Sequence, residues 1–343
     1  MPAPYRVVLL PGDGIGPEVT EAACQVLEAA GVRIEWQTLP CGLTAFQQHG
    51  DALPAFVIDA IRKAGVALKG PTTTPIGGGH VSANVRLRKA LELYANVRPV
   101  KTVPGLETPY GPVDLVIVRE NTEDLYSGLE NVVAPGVVTS IKVITRKASR
   151  RISQFAFVHA ESWGRKRVTA VHKANIMKLA DGLFLDCARR AAVTYAGRIA
   201  YDEVLVDALF MKLVKKASDF DVLLLENLYG DIVSDLAAGL VGGLGLVPGG
   251  NYGRHAAVFE AVHGSAPDIA GKGIANPIAM VLSAAMMCHH LGERDAYHRI
   301  RRAVAQVTRK KDHLTPDIGG ASTTAELTDA IVREVRAQPV AAS

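Results

Sequence analysis

Apolar residues along the chain follow two rhythms. Short apolar or alternating runs at Arg6–Leu10, Val32–Gln37, Leu115–Val118, Ser140–Ile144, Val168–His172, Ala200–Val206 and Asp221–Glu226 have the length and composition of strands. Between them, Glu18–Ala30, Ala148–His159, Ala174–Ala192 and Ala208–Ala217 space their apolar positions as an amphipathic helix does. Strands alternating with helices predict an α/β architecture. Asn276-Pro277 opens a further helix, a capping residue followed by proline in the first turn, and Gly292 closes it. No internal repeat or low-complexity linker interrupts the pattern, and Ala337–Ser343 is expected to fray.

Against that pattern one stretch stands out. NLYGDIVSDLAAGLVGGLGLVPGGN, residues 227–251, carries Asp231 and Asp235 four residues apart, and no charge follows from Leu236 to Asn251. If a helix starts near Gly230, the two carboxylates share a face close to its positive end, where they repel each other. A divalent cation would relieve the repulsion, and hard oxygen donors without Cys or His nearby suit Mg2+ or Mn2+ rather than zinc. A helix cap with a solvated neighbour is the competing explanation.

Composition adds limits rather than a function. Among 343 residues, 48% are apolar, enough for a large core and two domains. The formal charge of +4 is too small to imply nucleic acid, and the basic segment lacks interleaved aromatics for base stacking. The longest apolar run, around Ile278–Cys288, is too short to span a bilayer, and the amino-terminal residues run straight into a strand without a signal-peptide layout. Cys24, Cys41, Cys187 and Cys288 lack the paired spacing of a zinc site, and four thiols in so long a chain read as reduced. These features lead to the expectation of a cytoplasmic protein.

PGDGIGPEV after Val7–Leu10 imitates a dinucleotide fingerprint, with Glu35 at a suitable distance. Its glycines, however, are spaced by two, and Pro17 stands where the third belongs, so it is not a standard Rossmann GxGxxG site. KGPTTTPIGGGHVSANVRLRKALELYANVRPV, residues 69–100, opens as a small-residue loop and continues into a basic helical stretch. Arg88, Arg98 and Arg119 from separate segments would suit a polycarboxylate if they converged, although each alone could be a surface arginine. Tyr126 and Lys173 are possible proton-transfer groups. Cys288, His289 and His290 read as a helix end rather than a metal site, Trp36 and Trp163 as packing residues, and His80 and His172 border the motifs without an assigned role.

Taken together, LLPGDGIGPEV, KGPTTTPIGGG, LYANVRPVKT, VRENTEDLYSG, HKANIMK, the 227–251 stretch and VFEAVHGSAPDIAGKGIANP resemble the metal-dependent β-decarboxylating dehydrogenases: the isocitrate, homoisocitrate, 3-isopropylmalate and tartrate dehydrogenases. The resemblance implies two discontinuous α/β domains with the active site in their cleft, residues 1–99 with 252–343 forming the larger cofactor-binding one and 100–251 the dimerising one. It implies metal ligands at Asp231 and Asp235, with Asp207 supplied by the other subunit. Arg88, Arg98 and Arg119 match carboxylate-binding arginines, Lys173 the group that deprotonates the substrate hydroxyl across the dimer interface, and Tyr126 the acid that protonates the enolate. Cofactor contacts are implied for Thr73, Asn175, His263, Gly264, Ala266, Asp268, Ile269 and Asn276. NAD is expected over NADP, because Asp268 would accept the ribose hydroxyls and repel a 2′-phosphate. The apolar stretch after Asp231 would pack on a second copy, giving a homodimer or a dimer of dimers.

Among the substrates of such enzymes, Ser82 and Asn84 favour isocitrate, since a hydroxyl and an amide can bind an additional carboxylate where an isopropylmalate enzyme needs apolar side chains. Asp124, in ENTEDLY, points the same way. Homoisocitrate is the alternative, then 3-isopropylmalate and tartrate. A non-catalytic alternative, a regulatory subunit of a heteromeric isocitrate dehydrogenase, is weakened by the presence of Asp207, Asp231, Asp235, Lys173, Tyr126 and all three arginines.

Overall fold

A computed structural model describes residues 3–74 and 82–339. Its elements run β1 (Tyr5–Leu10), α1 (Gly16–Ala29), β2 (Ile34–Thr38), α2 (Leu43–His49), α3 (Ala55–Ala64), β3 (Val66–Lys69) and α4 (Ala83–Ala90). The middle of the chain holds β4 (Ala95–Lys101), β5 (Asp114–Glu120), a hairpin of β6 (Glu130–Ala134) and β7 (Val137–Ser140), α5 (Arg146–Ser162) and β8 (Arg167–His172). It continues through α6 (Ala180–Thr194), β9 (Ala200–Leu205), α7 (Val206–Lys216), β10 (Val222–Leu225) and α8 (Asn227–Leu240). The last part comprises β11 (Pro248–Tyr252), β12 (Ala257–Ala261), α9 (Ile278–His290), α10 (Arg294–Lys310) and α11 (Thr324–Ala337). None of the helices among the described residues is long and apolar enough to cross a membrane.

Two compact units divide the chain: Met1–Leu91 with Thr102–Thr108 and Val241–Ser343, and Glu92–Lys101 with Pro109–Leu240. In the first, the strand order is β2-β1-β3-β12-β11, parallel except for β11, which runs antiparallel to β12. The sequence boundary at 251/252 cuts this pair; because Pro248–Tyr252 bonds to Ala257–Ala261 along its length, residues 241–251 belong with the first unit. Nearly every side chain of α9 from Ile278 to Cys288 is buried, as expected of a helix apolar on all sides. Helices α1 and α10 pack on it and α11 packs on those two, each burying one face.

The second unit has the order β4-β5-β10-β8-β9, with β4 antiparallel to β5 and the rest parallel. Its central strand β10, Val-Leu-Leu-Leu, is fully buried, the signature of a parallel strand covered on both faces. Several sequence expectations shift here. Only Ser140 of Ser140–Ile144 is in a strand, and α6 begins at Ala180 instead of Ala174, because residues 173–179 form a hydrogen-bonded turn in which Ile176 and Met177 N–H both donate to Lys173 O. Strands β3, β4, β6, β11 and β12 were not foreseen. The Pro-Gly-Gly-Asn of β11 has loop composition, and Arg98-Pro99 breaks the apolar run of β4. All four cysteines are free thiols.

Candidate active site

The sequence-predicted site residues fall into two groups, one on each unit, and His80 lies outside the described residues. On the second unit the organising element is α8. It starts at Asn227, a turn earlier than its charges suggested, and its Leu228 N–H donates to Asp124 Oδ2 at 2.8 Å. Asp124, buried and with φ 71°, is therefore the carboxylate at the helix start. Asp231 is not the cap. Its Oδ1 accepts from Arg119 Nη1 at 2.5 Å and lies 3.5 Å from Arg98 Nη1, while the Tyr126 hydroxyl donates to Oδ2.

Three separate segments thus converge on one carboxylate: β4 through Arg98, β5 through Arg119 and the turn after β5 through Tyr126. Gly230 permits the approach, since a Cβ there would sit 2.5 Å from Arg119 Cγ. Arg119 also donates to Asn227 Oδ1 through Nε at 3.0 Å and Nη2 at 2.7 Å. Arg98 donates from Nε to Asn96 Oδ1 at 2.8 Å and from Nη1 to Ser234 Oγ. Both guanidiniums are buried, so their charges act through little water. Burial pushes the Tyr126 phenol above its ordinary range, against the lowering charge of Arg119, and the bond to Asp231 adds to the rise. It holds its proton at neutral pH.

Asp235 follows one turn on, more exposed, its Oδ1 4.0 Å from Arg98 Nη1. Asp207, in the first turn of α7, instead accepts from Lys173 Nζ at 2.6 Å, and that bond holds its carboxyl below the usual range. Among the described residues no three carboxylate, His or Cys side chains group as a metal site would require, so Asp207 does not join Asp231 and Asp235 within one chain. The pair on α8 nevertheless has the donor chemistry for Mg2+ or Mn2+: two hard oxygen ligands one turn apart, without nitrogen or sulfur. His172 gains a role the sequence did not suggest, its Nδ1 accepting Ala174 N–H at 3.1 Å at the start of the Lys173 turn. Asn175 is exposed in that turn.

On the first unit, Arg88 donates from Nη2 to Glu260 Oε1 at 2.9 Å. Glu260 also receives Lys69 Nζ at 2.8 Å and Asn251 Nδ2 at 2.8 Å. Burial alone would raise this carboxyl, but the charges of Lys69 and Arg88 win and hold it far below the carboxylate range. Sequence reasoning missed both partners, although a glutamate inside the apolar strand Val258-Phe259-Glu260-Ala261 was itself a signal of a paired buried charge. Ser82 caps α4, accepting Val85 N–H, and Asn84 Oδ1 accepts from Thr72 Oγ1 at 3.1 Å. Neither acceptor role consumes the donors, a hydroxyl proton and an amide, that a carboxylate would need.

Thr73 ties the same group together, its N–H donating to Asp13 Oδ2 at 2.8 Å and its Oγ1 bonded to Ser265 Oγ at 2.8 Å. Asp13 belongs to the false fingerprint, whose real function is junctional. Gly14 (φ 59°) brings the backbone so near Ser265 that a Cβ would lie 1.9 Å from the Ser265 carbonyl oxygen. In the loop after β12, Ala266 takes φ 39° and its carbonyl accepts Ile269 N–H at 3.1 Å, with Gly264 and Asp268 exposed on either side. Asn276 Nδ2 donates to Asp317 at 3.0 Å. His263 bonds Gly264 O through Nδ1, yet its buried Nε2 has no hydrogen-bond partner among the described residues. Burial lowers the imidazole's pKa, leaving it neutral. An orphaned neutral nitrogen fits a group that receives a polar ligand.

Comparison with known proteins makes the chain an oxidoreductase of the dehydrogenase class. It belongs to the isocitrate/isopropylmalate dehydrogenase family, whose sequence model matches residues 6–331. The Arabidopsis thaliana protein named isocitrate dehydrogenase [NAD] catalytic subunit 5, mitochondrial, is 51% identical over 96% of this chain and 88% of its own length. A chloroplastic 3-isopropylmalate dehydrogenase of Solanum tuberosum is 52% identical over 87% of this chain and 84% of its own. Crystalline isocitrate dehydrogenase from Methylococcus capsulatus matches with a TM-score of 0.94 at 50% identity, covering 97% of this chain and 99% of that one. The fold is that of the family. Both curated relatives are organellar, one mitochondrial and one chloroplastic, so the expectation of a cytoplasmic protein does not stand.

Proposed function

We propose that this chain catalyses NAD-dependent oxidative decarboxylation of isocitrate to 2-oxoglutarate and CO2. What supports the reading above all is the convergence of Arg98, Arg119 and Tyr126 on Asp231, with Asp235 one helical turn away. Asp231 and Asp235, with Asp207 of a second copy, would hold a dication, which would supply Lewis acidity to the reaction. Thr73, Asn175 and the loop of His263, Gly264, Ala266, Asp268, Ile269 and Asn276 would hold NAD+, which would supply the hydride acceptor. The side chains do the rest. Arg88, Arg98 and Arg119 grip carboxylates, Lys173 of the second copy, paired with that copy's Asp207, takes the hydroxyl proton, and Tyr126 returns a proton to the carbon from which CO2 has departed. Its raised phenol pKa suits a group that must arrive protonated.

A second copy is the proposed partner. Leu179, Ile176, Val193, Met211 and Ile232, and Val132 and Val138 of the β6-β7 hairpin, are exposed apolar residues of the second unit. Side chains of this kind in such number suit burial against another chain.

The two relatives differ in substrate, so the substrate is the point to test. Ser82 and Asn84 would hydrogen-bond the carboxylate that isocitrate has and 3-isopropylmalate lacks. NADH formation with isocitrate, homoisocitrate, 3-isopropylmalate and tartrate side by side should rank isocitrate first, with NAD+ preferred to NADP+. Leaving the Ser82 and Asn84 donors unpaired costs about 1–3 kcal/mol, so 3-isopropylmalate should lose roughly 10–100-fold in kcat/KM. Ser82→Ala and Asn84→Leu should narrow that gap. First rank for 3-isopropylmalate, or an unchanged gap in both variants, contradicts the assignment.

A further inference from the structure

The second unit holds a buried cationic centre that none of the roles above uses. Lys142, in the segment joining β7 to α5, is only 14% exposed in its side chain and lies between two carboxylates. Its Nζ donates to Asp181 Oδ1 at 2.7 Å and to Glu226 Oε2 at 2.5 Å, and sits 4.5 Å from the centre of the Tyr229 ring. Asp181 is fully buried in the first turn of α6, and Glu226, also buried, immediately precedes α8. A lysine with two buried anions and an aromatic face has its geometry fixed by several charge-assisted contacts at once.

What Asp181 does with its other oxygen gives the cluster its meaning. Oδ2 accepts the backbone N–H of Lys173 at 2.6 Å and the Tyr229 hydroxyl at 3.3 Å. Lys173 opens the turn before α6, and this bond fixes where that turn leaves β8. The same ammonium thus holds the carboxylate that anchors the Lys173 backbone and the carboxylate at the head of the helix carrying Asp231.

We propose that Lys142 is a positioning residue for the reaction: through Asp181 it sets the backbone from which Lys173 reaches the substrate hydroxyl in the second copy's site, and through Glu226 it registers that backbone against the start of α8, next to the interface. The assignment rests on the reading of Lys173 as the proton acceptor. Lys142 itself touches neither substrate nor cofactor in this scheme. Its loss should therefore slow the step in which the hydroxyl proton and the hydride leave, with little change in substrate affinity.

The test is steady-state kinetics of Lys142→Met and Lys142→Arg on the full chain, with isocitrate carrying hydrogen or deuterium at the carbinol carbon. K142M should lower kcat roughly 10–100-fold, the range that a displaced catalytic group costs, while KM for isocitrate stays within about threefold. The primary isotope effect should rise above that of the wild type, because hydride transfer has become more rate-limiting. K142R, which keeps the charge and two donors, should recover part of kcat. A kcat within about threefold of wild type in K142M, or a lower kcat with an unchanged isotope effect, overturns the proposal; the second is what a merely smaller folded fraction gives. Should K142M fail to fold, the isosteric Asp181→Asn carries the same expectations and the same refutations. Lys173→Met, run in parallel, separates the two readings: full turnover in K173M rejects Lys173 as proton acceptor, whereas loss in K173M with none in K142M or D181N rejects only the role assigned to Lys142.

Discussion

Replacing Asp231 with Asn is expected to lower kcat for isocitrate by on the order of 10³-fold or more while the protein remains folded. The substitution keeps the shape of the side chain and removes one charge. In the proposed reaction that charge is half of what α8 offers a dication, and Asp235, more exposed and 4.0 Å from Arg98, cannot replace it. The same charge faces Arg119 at 2.5 Å and Arg98 at 3.5 Å, both buried. D231N should therefore also unfold at lower denaturant concentration, and a bound polycarboxylate should restore part of the difference by supplying the missing anion. Full activity in D231N at saturating Mg2+, with a normal circular dichroism spectrum, would contradict the role given to this carboxylate.

Glu260→Ala should have the largest effect on stability. It strips the shared counterion from Lys69, which is fully buried, and from Arg88. Breaking a buried ion pair from one side costs about 3–5 kcal/mol, since the remaining charge stays in a poorly solvated site. In the wild type the sign with pH follows from the carboxyl itself. Burial opposes its ionisation, yet Lys69 and Arg88 hold its folded-state pKa far below the unfolded value, so the contribution is complete above that value, about 4.3. It declines as the pH falls below that point and the unfolded chain takes up a proton that the folded chain refuses. Urea titrations of wild type and E260A at pH 7 and near pH 3 should show a gap in midpoint that narrows in acid. A gap that is absent at pH 7, or that widens in acid, would mean the buried triad does not stabilise the fold.

Much of this was written legibly in the chain, and what was not has physical reasons. The alternation of strands and helices in Val168–Val206 survives into the structure because each element there has its own period, apart from the delayed start of α6. Among the strands that went unseen, β3, β4, β11 and β12 have residues that look like something else: Lys69 and Glu260 put charge in buried strands, Gly249-Gly250 put glycine in one, and Arg98-Pro99 interrupts another. Period reports which face is wet, and a strand buried on both faces has none to report. The aspartate pair was legible as unusual, but its setting was not. Nothing in NLYGDIVSD reveals that Asp124, a hundred residues earlier, holds the start of α8 and leaves Asp231 to the arginines. Lys142 and Asp181 escaped for a similar reason. Single charges in an ordinary strand-like run or helix, as at Lys142 and Asp181, acquire meaning only when folding removes them from water and pairs them.

The decisive measurement is NADH formation from isocitrate before and after exhaustive chelation, followed by titration with Mg2+ and then Mn2+. Turnover should vanish with the dication and return with either one in the wild type, and D231N should fail to recover at concentrations that saturate the wild type. Undiminished turnover in the chelated wild type, or full recovery of D231N by either ion, would contradict a reaction that depends on a cation held by the carboxylates of α8.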